Sequence, residues 1–233
     1  MNEEEIGIVV TLTLYLFTIP YAFYQAHKEQ RLQKIKVQSK FIKFAKINTI
    51  FIISILGVFA IITHTNYLDY ERPIEYSGYD SITFKNFRGL ELFKKTLYNN
   101  PHFAYVVTAI EYKIDDDSIT VKSLFHPSRS YVYNQTTNSK ELLQHEKYHF
   151  KITELFARKI KYQIATRKYP NKSSIEKLIR KNLDEERQFQ RKYDDETFHS
   201  YVLSEQKKYE NKIDSLLDLL SVYQPSKIPY ELP

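Results

Sequence analysis

Residues 142–152 read Leu142-Leu143-Gln144-His145-Glu146-Lys147-Tyr148-His149-Phe150-Lys151-Ile152. No glycine or proline interrupts the chain from Asn138 to Arg167. Leu142, Ile152, Phe156 and Ile160 recur with the two histidines at helical spacing, and Leu143, Phe150 and Leu155 widen the apolar face. The stretch therefore predicts a long helix. Asn138 and Glu141 stand at capping-box spacing, which puts the N-cap at Asn138. On a helix, residues four apart lie one above the other. His145 and His149 thus present two imidazoles from one face, on or beside its buried side. Two imidazoles so placed can hold one zinc ion, and Glu146 beside them can take a proton from a zinc-bound water. The alternative is a pair of core histidines hydrogen-bonded to backbone or carboxylates.

A catalytic zinc needs a third protein ligand and an open position. The candidates lie downstream, in Tyr193-Asp194-Asp195-Glu196-Thr197-Phe198-His199. His199, the last histidine, is favoured. Asp195 and Glu196, four and three residues before it, share a helix face with it, and either serves as alternative ligand or as acceptor for an imidazole N–H. Glu154 lies five residues past His149, which rotates it off the metal face.

Ahead of this domain, residues 6–24 and 47–68 carry no charged side chain. At about 1.5 Å per residue each is long enough to cross a bilayer core. The loop 25–46 between them carries Lys28, Arg31, Lys34, Lys36, Lys40, Lys43 and Lys46 against Glu29 alone. The positive-inside rule places that loop in the cytoplasm, against anionic headgroups. The acidic start, Glu3-Glu4-Glu5, argues against a cleaved signal peptide. The expectation is a multi-pass protein of a bacterial inner membrane. Residues 1–68 form the anchor, with the lipid bilayer as a partner, and residues 69–233 form one domain on the periplasmic or extracellular side.

The formal charge of +6 is owed partly to the basic loop, so nothing marks a nucleic-acid site. The absence of cysteine excludes disulfides and thiolate ligands. With four glycines the chain has no dinucleotide, P-loop or nucleophile-elbow motif.

Ser81 to Phe87, Phe103 to Ile114, Ile119 to Phe125 and Ser130 to Tyr133 read as strands, with Asp115-Asp116-Asp117-Ser118 as a hairpin turn. Glu91 to Asn99 reads as a short helix. After Pro170, a second helix capped by Ser173 or Ser174 carries Ile175, Ile179, Phe189 and Tyr193, and a third runs from about Ser204 to Tyr223. The tail from Pro225 reads as extended or loose. The fold class is α+β: two transmembrane helices, then a small antiparallel sheet packed with three helices, the first of them zincin-like.

The motif block, continued by Glu154-Leu155 and Ala157-Arg158, resembles the DUF922 family of bacterial proteins described as secreted zinc-dependent proteases. Ile82-Thr83-Phe84-Lys85-Asn86-Phe87-Arg88-Gly89 and Ser123-Leu124-Phe125-His126-Pro127-Ser128-Arg129-Ser130-Tyr131-Val132 resemble its upstream strands. Tyr193-Asp194, Glu196-Thr197 and His199 resemble its second signature, where the last histidine is the third ligand. Phe84 and Tyr131 stand where the family often has tryptophan, and Ser200 where it often has glycine.

These readings converge on a membrane-anchored zinc metallopeptidase. Glu146 is its catalytic base, His145, His149 and His199 hold the metal, and a protein or peptide lies along an edge strand near Phe125 to Tyr133. Two alternatives stay open: a non-catalytic envelope scaffold, and a metal-dependent hydrolase of a non-protein envelope amide.

Overall fold

The computed structural model describes residues 18, 20–22, 24, 25, 28, 31, 37–64, 71–89, 103–134, 136–167, 169 and 171–230. The chain divides into two compact units, Met1–Thr65 and Asn66–Pro233.

In the first unit one helix is described over a long stretch, α1 (Val37–His64). Among the described residues no helix is long and apolar enough to cross a membrane. This overturns the two spans expected at 6–24 and 47–68, and with them the multi-pass inner-membrane placement. Most of the first span lies outside the described residues. The second is not a helix of its own. α1 as described begins inside the basic loop, so Lys40, Lys43 and Lys46 belong to the same helix as the apolar run, and residues 65–68 of the expected span lie outside the described residues.

The second unit is α+β. β1 (Ile74–Glu75), β3 (Thr108–Ile114), β4 (Ser118–Phe125) and β6 (Lys227–Pro229) form an antiparallel sheet. β3 and β4 are a hairpin, paired from Thr108↔Phe125 to Ile114↔Ile119. Asp115 N–H closes its turn on the Ser118 carbonyl at 2.9 Å. On its other edge β4 pairs with β1 at one end and β6 at the other. The tail is therefore a strand, because Ile228 buries itself beside Ile119. β2 (Ala104–Tyr105) and β5 (Tyr131–Val132) form a separate pair. The expected strand from Phe103 to Ile114 is thus broken at Val106-Val107. Ser81 to Phe87 is no strand: short 3₁₀ turns at Tyr76–Ser81 and Phe84–Asn86 carry Ile82 and Phe87 into the core. Alternation of apolar residues alone does not separate these cases. The expected helix at 91–99 lies outside the described residues.

Three helices follow: α2 (Lys140–Thr166), α3 (Lys172–Thr197) and α4 (Leu203–Leu219). The cap of α2 is Ser139, not Asn138; its hydroxyl accepts from Leu142 N–H at 3.2 Å. The cap of α3 is Asn171, not either serine; its side chain accepts from Ser174 N–H at 2.9 Å. A cap must be the last residue with extended backbone, and both observed caps are. α4 ends at Leu219, and a 3₁₀ turn at Ser221–Tyr223 follows.

α2 is the centre of the unit. Ala157, Ile160 and Ile164 pack on β4, α3 and the tail; Tyr148, Ile152, Leu155 and Phe156 pack on α3 and α4; Leu142 and Phe150 pack on Phe87, Phe125 and Val132. A helix covered all round buries its polar residues too. His145, Glu146, His149, Thr153, Glu154, Arg158 and Lys161 are all buried, and each needs a partner.

Candidate metal centre

α3 runs antiparallel to α2, as the paired contacts Asn182–Gln163, Glu186–Thr153, Gln190–His149 and Asp194–His145 show. This register sets Asp194 against both histidines of the motif. Its Oδ1 lies 3.2 Å from His145 Nε2 and 2.9 Å from His149 Nε2, and the two imidazole nitrogens are 3.3 Å apart.

His199 arrives by a different device. α3 stops at Thr197, and Phe198, His199 and Ser200 all take positive φ, at 49°, 48° and 75°. Phe198 and His199 N–H both reach the Asp194 carbonyl, and Val202 N–H bonds the Thr197 carbonyl at 2.9 Å. The left-handed turn folds the chain back over the helix end and brings His199 Nδ1 to 3.4 Å from Asp194 Oδ1. Had the helix continued, a residue five positions past Asp194 would stand well over 100° round from it. His145, Asp194 and His199 each offer one ligand atom, all within 4.8 Å of one another, and the group could hold a metal ion.

The spacings approach that role, two of them on the short side. Ligands about 2.0–2.2 Å from a tetrahedral ion lie about 3.3–3.6 Å from one another. The four contacts to and between these nitrogens and the Asp194 oxygen run from 2.9 to 3.4 Å. Two imidazoles and one carboxylate form this group, a donor set that suits zinc and its first-row neighbours; His149, expected as a ligand, is not in it, although its Nε2 lies 2.9 Å from the same Asp194 oxygen.

The charges are strongly coupled. Burial lowers the pKa of His145 to about 4, against the pull of Asp194. Burial opposes the imidazolium of His149 as well, yet Asp194, Glu146 and the Gln190 contact outweigh it and lift the pKa to about 9. Burial alone would raise Asp194, but the two histidines hold its carboxyl far below the ordinary range. In the metal-free cluster a proton on His149 thus neutralises Asp194, where a cation would otherwise serve.

Supporting contacts orient the ligands. His149 Nδ1 lies 2.5 Å from Gln190 Oε1, whose amide nitrogen donates to the His149 carbonyl at 3.0 Å and to Glu186 at 2.8 Å. With the N–H engaged by Gln190, Nε2 faces the centre. His145 is held otherwise. Its Nδ1 is buried with no partner among the described residues, and its ring stacks on Tyr193 at 4.6 Å and 17°.

Glu146 stands next to the group, with the Val106 N–H donating to its carboxylate. It is buried, and no lysine or arginine pairs with it among the described residues. Burial pushes its carboxyl up to about 7; Asp194 adds to this, and His149 and Val106 work against it.

Asp195 and Glu196, weighed as alternative ligand or supporting acceptor, point elsewhere. Asp195 is exposed. Glu196 accepts from Tyr209 at 2.8 Å and lies 3.6 Å from Lys192. The carboxylate that meets the histidines is Asp194, one residue earlier. Counting back from His199 along a continuous helix selects the wrong carboxylate, because the helix has already ended. The available signal is a polar stripe, Glu186-Gln190-Asp194-Thr197 at helical spacing, beside the buried Ile179 and Tyr193. Glu154 bonds Arg158 and Ser123 and takes no part.

No family model, no curated protein and no solved structure matches this chain. The resemblance to the DUF922 family rests on its sequence blocks.

Proposed function

We propose that the domain is a zinc-dependent hydrolase of amide bonds, most simply a peptidase. The observation that carries this reading is Glu146: a buried carboxylate with its pKa lifted to about 7, beside the metal group and outside the donor set. A metal that only braces a fold needs no such neighbour. A divalent cation held by these side chains would supply a Lewis acid for the scissile carbonyl and would acidify water. Glu146 takes the proton of the attacking water and returns it to the leaving amine. His145 and His149 hold their nitrogens towards the centre, the first clamped by Tyr193 and the second by Gln190. The substrate strand belongs beside β2, not β5. β5 is paired with β2 on one side and bridged to Arg88 on the other, whereas β2 lies next to the Val106–Glu146 contact.

Glu146→Gln tests the reading on a mixed peptide pool. The variant should bind one zinc per chain like the parent and lose about 10²- to 10⁴-fold in hydrolysis rate. Hydrolysis retained with zinc in place would refute it.

A second reading has its own support. If Asp194 and all three histidines ligate at once, four protein donors close the coordination sphere, as in structural sites. The full chain would then bind zinc tightly, gain thermal stability from it and hydrolyse nothing.

A further inference from the structure

Between β1 and β6 the sheet has a gap. On that edge β4 pairs with β1 through Leu124 and Phe125, and with β6 through Ser118, Ile119 and Thr120. Val121, Lys122 and Ser123 have no strand partner there among the described residues. Val121 N–H bonds the Ser226 carbonyl at 2.7 Å, across the mouth of the gap. Antiparallel alternation turns the Ser123 N–H and carbonyl to the same side. A cavity of about 640 Å³ occupies this place, walled by β4, the start of the 3₁₀ turn at Tyr76 and the turn 221–226, with Glu154 and Lys161 of α2 at its inner side. Its size is that of a small-molecule pocket.

The charges around it do not balance. At the rim Glu75 pairs with Lys122 at 2.6 Å. Inside, Glu154 Oε1 accepts from Arg158 Nε at 2.7 Å and Oε2 from the Ser123 hydroxyl at 2.5 Å. Arg158 also donates to the Leu217 carbonyl at 3.0 Å and lies over the Tyr76 ring. These two pairs are complete. Lys161 is left over. It is 1 % exposed, and among the described residues its Nζ donates only to the carbonyls of Gln224 and Pro225, at 3.3 and 2.9 Å. An ammonium has three hydrogens, so one is uncommitted. Among the described residues no carboxylate lies within ion-pair reach of it. Both carbonyls it meets belong to residues that line the cavity. A buried cation answered by carbonyl dipoles and, from farther off, by the already paired Glu154 is costly. Consistent with that cost, burial lowers the Lys161 pKa to about 8.

The cavity thus presents an unneutralised ammonium, the Ser123 peptide edge and the hydroxyl-bearing residues Ser77, Ser221 and Ser226. It is separate from the metal centre. At about 100° per residue, Glu154 and Lys161 stand close to half a turn round α2 from His145, and two to four turns further along.

We propose that this cavity is a binding site for a small organic oxyanion, a carboxylate or a phosphate ester, whose charged end pairs with Lys161. The ligand completes a buried charge that the described residues leave open. The site does not depend on the metal centre or on hydrolysis.

The test uses the full chain, with inorganic phosphate and acetate as separate probes. The ¹³Cε resonance of Lys161 is followed by NMR during each titration, in the unmutated protein. A saturable shift of that resonance is expected with at least one probe, and the tighter of the two names the ligand class. Lys161→Met should weaken binding at least about tenfold by calorimetry, while Lys161→Arg keeps the charge and most of the affinity. Lys122→Met, on the rim and already paired with Glu75, should change affinity less than Lys161→Met. If neither probe moves the Lys161 resonance in a saturable way, the proposal fails. It also fails if a well-folded Lys161→Met chain binds as tightly as the parent, since the anion then sits elsewhere, as on the basic segment of α1. Should Lys161→Met not fold, the resonance titration of the parent decides alone.

Discussion

Helix α2 buries polar groups on two opposite faces, and the two faces meet the cost of burial in opposite ways. On one face Glu154 and Arg158 satisfy each other, with Ser123 and the Leu217 carbonyl completing their bonds. On the other, His145, His149 and Asp194 turn acceptors towards one another at 2.9–3.3 Å. Among the described residues nothing on that face supplies the positive charge the arrangement calls for, save a proton on His149. On the first face that ion pair is closed and needs no visitor, and only Lys161 further along it is left open. The second is closed only by a cation, and so it is where metal binding is to be sought. Buried charge is not in itself a mark of function; buried charge left incomplete is.

Four further experiments break or sharpen that contrast. The largest effect belongs to the closed face. Glu154→Ala strands Arg158 in the interior and should cost about 3–5 kcal/mol in chemical denaturation, with zinc stoichiometry unchanged in the folded fraction. A loss of zinc without a loss of stability would invert the assignment of the two faces.

At the open face, Asp194→Ala should weaken zinc binding by about 100-fold or more, whereas Asp195→Ala, one residue along and exposed, should leave it unchanged. Competition against a chromophoric chelator reads both. Equal losses would mean that α3 meets α2 in a different register.

Zinc affinity should climb with pH. The folded-state pKa of His149 is raised to about 9, so its proton stabilises the metal-free fold fully below about 6.5, and that contribution fades as pH rises to about 9. Zinc must displace this proton. His145, lowered to about 4, has already lost its own. Between about pH 7 and pH 9 the binding constant should therefore rise close to tenfold per unit, with about one proton released per ion. Calorimetry in buffers of different ionisation enthalpy counts it. A flat profile would show that Asp194 and His149 are not paired in the metal-free chain.

The smallest effect concerns the turn that delivers His199. Ser200 has φ 75°, where a side chain is strained and glycine is not. Ser200→Gly should stabilise the fold by up to about 1 kcal/mol, since relief of strain exceeds the extra chain entropy that glycine loses. A destabilised variant would show that the serine side chain makes a stabilising contact of its own.

Short-range regularities are legible in the sequence. The motif helix, the face shared by His145 and His149 and the β3–β4 hairpin follow from spacings of four residues and from an acidic turn between two β-rich runs. These depend on neighbours along the chain, whose geometry the backbone dictates. The features that escape a sequence reading depend on partners far away. Glu196 and Asp195 look eligible only along a continuous helix; the left-handed turn after Thr197 cancels that count. The tail, extended or loose by its composition, becomes β6 because β4 has an edge to cover. The apolar run from Ile47 reads as an independent span, yet α1 begins ten residues earlier, among the lysines.

The chain by itself determined that two imidazoles and a carboxylate would sit together on one helix, because i and i+4 coincide on any α-helix. Only the tertiary structure decided which carboxylate faces them, how His199 returns to them and that Lys161 has no carboxylate within ion-pair reach among the described residues. Those outcomes are set by the sliding register of α3 against α2 and by where each helix stops. No local spacing encodes either of these, because each is resolved only when the buried faces lock together.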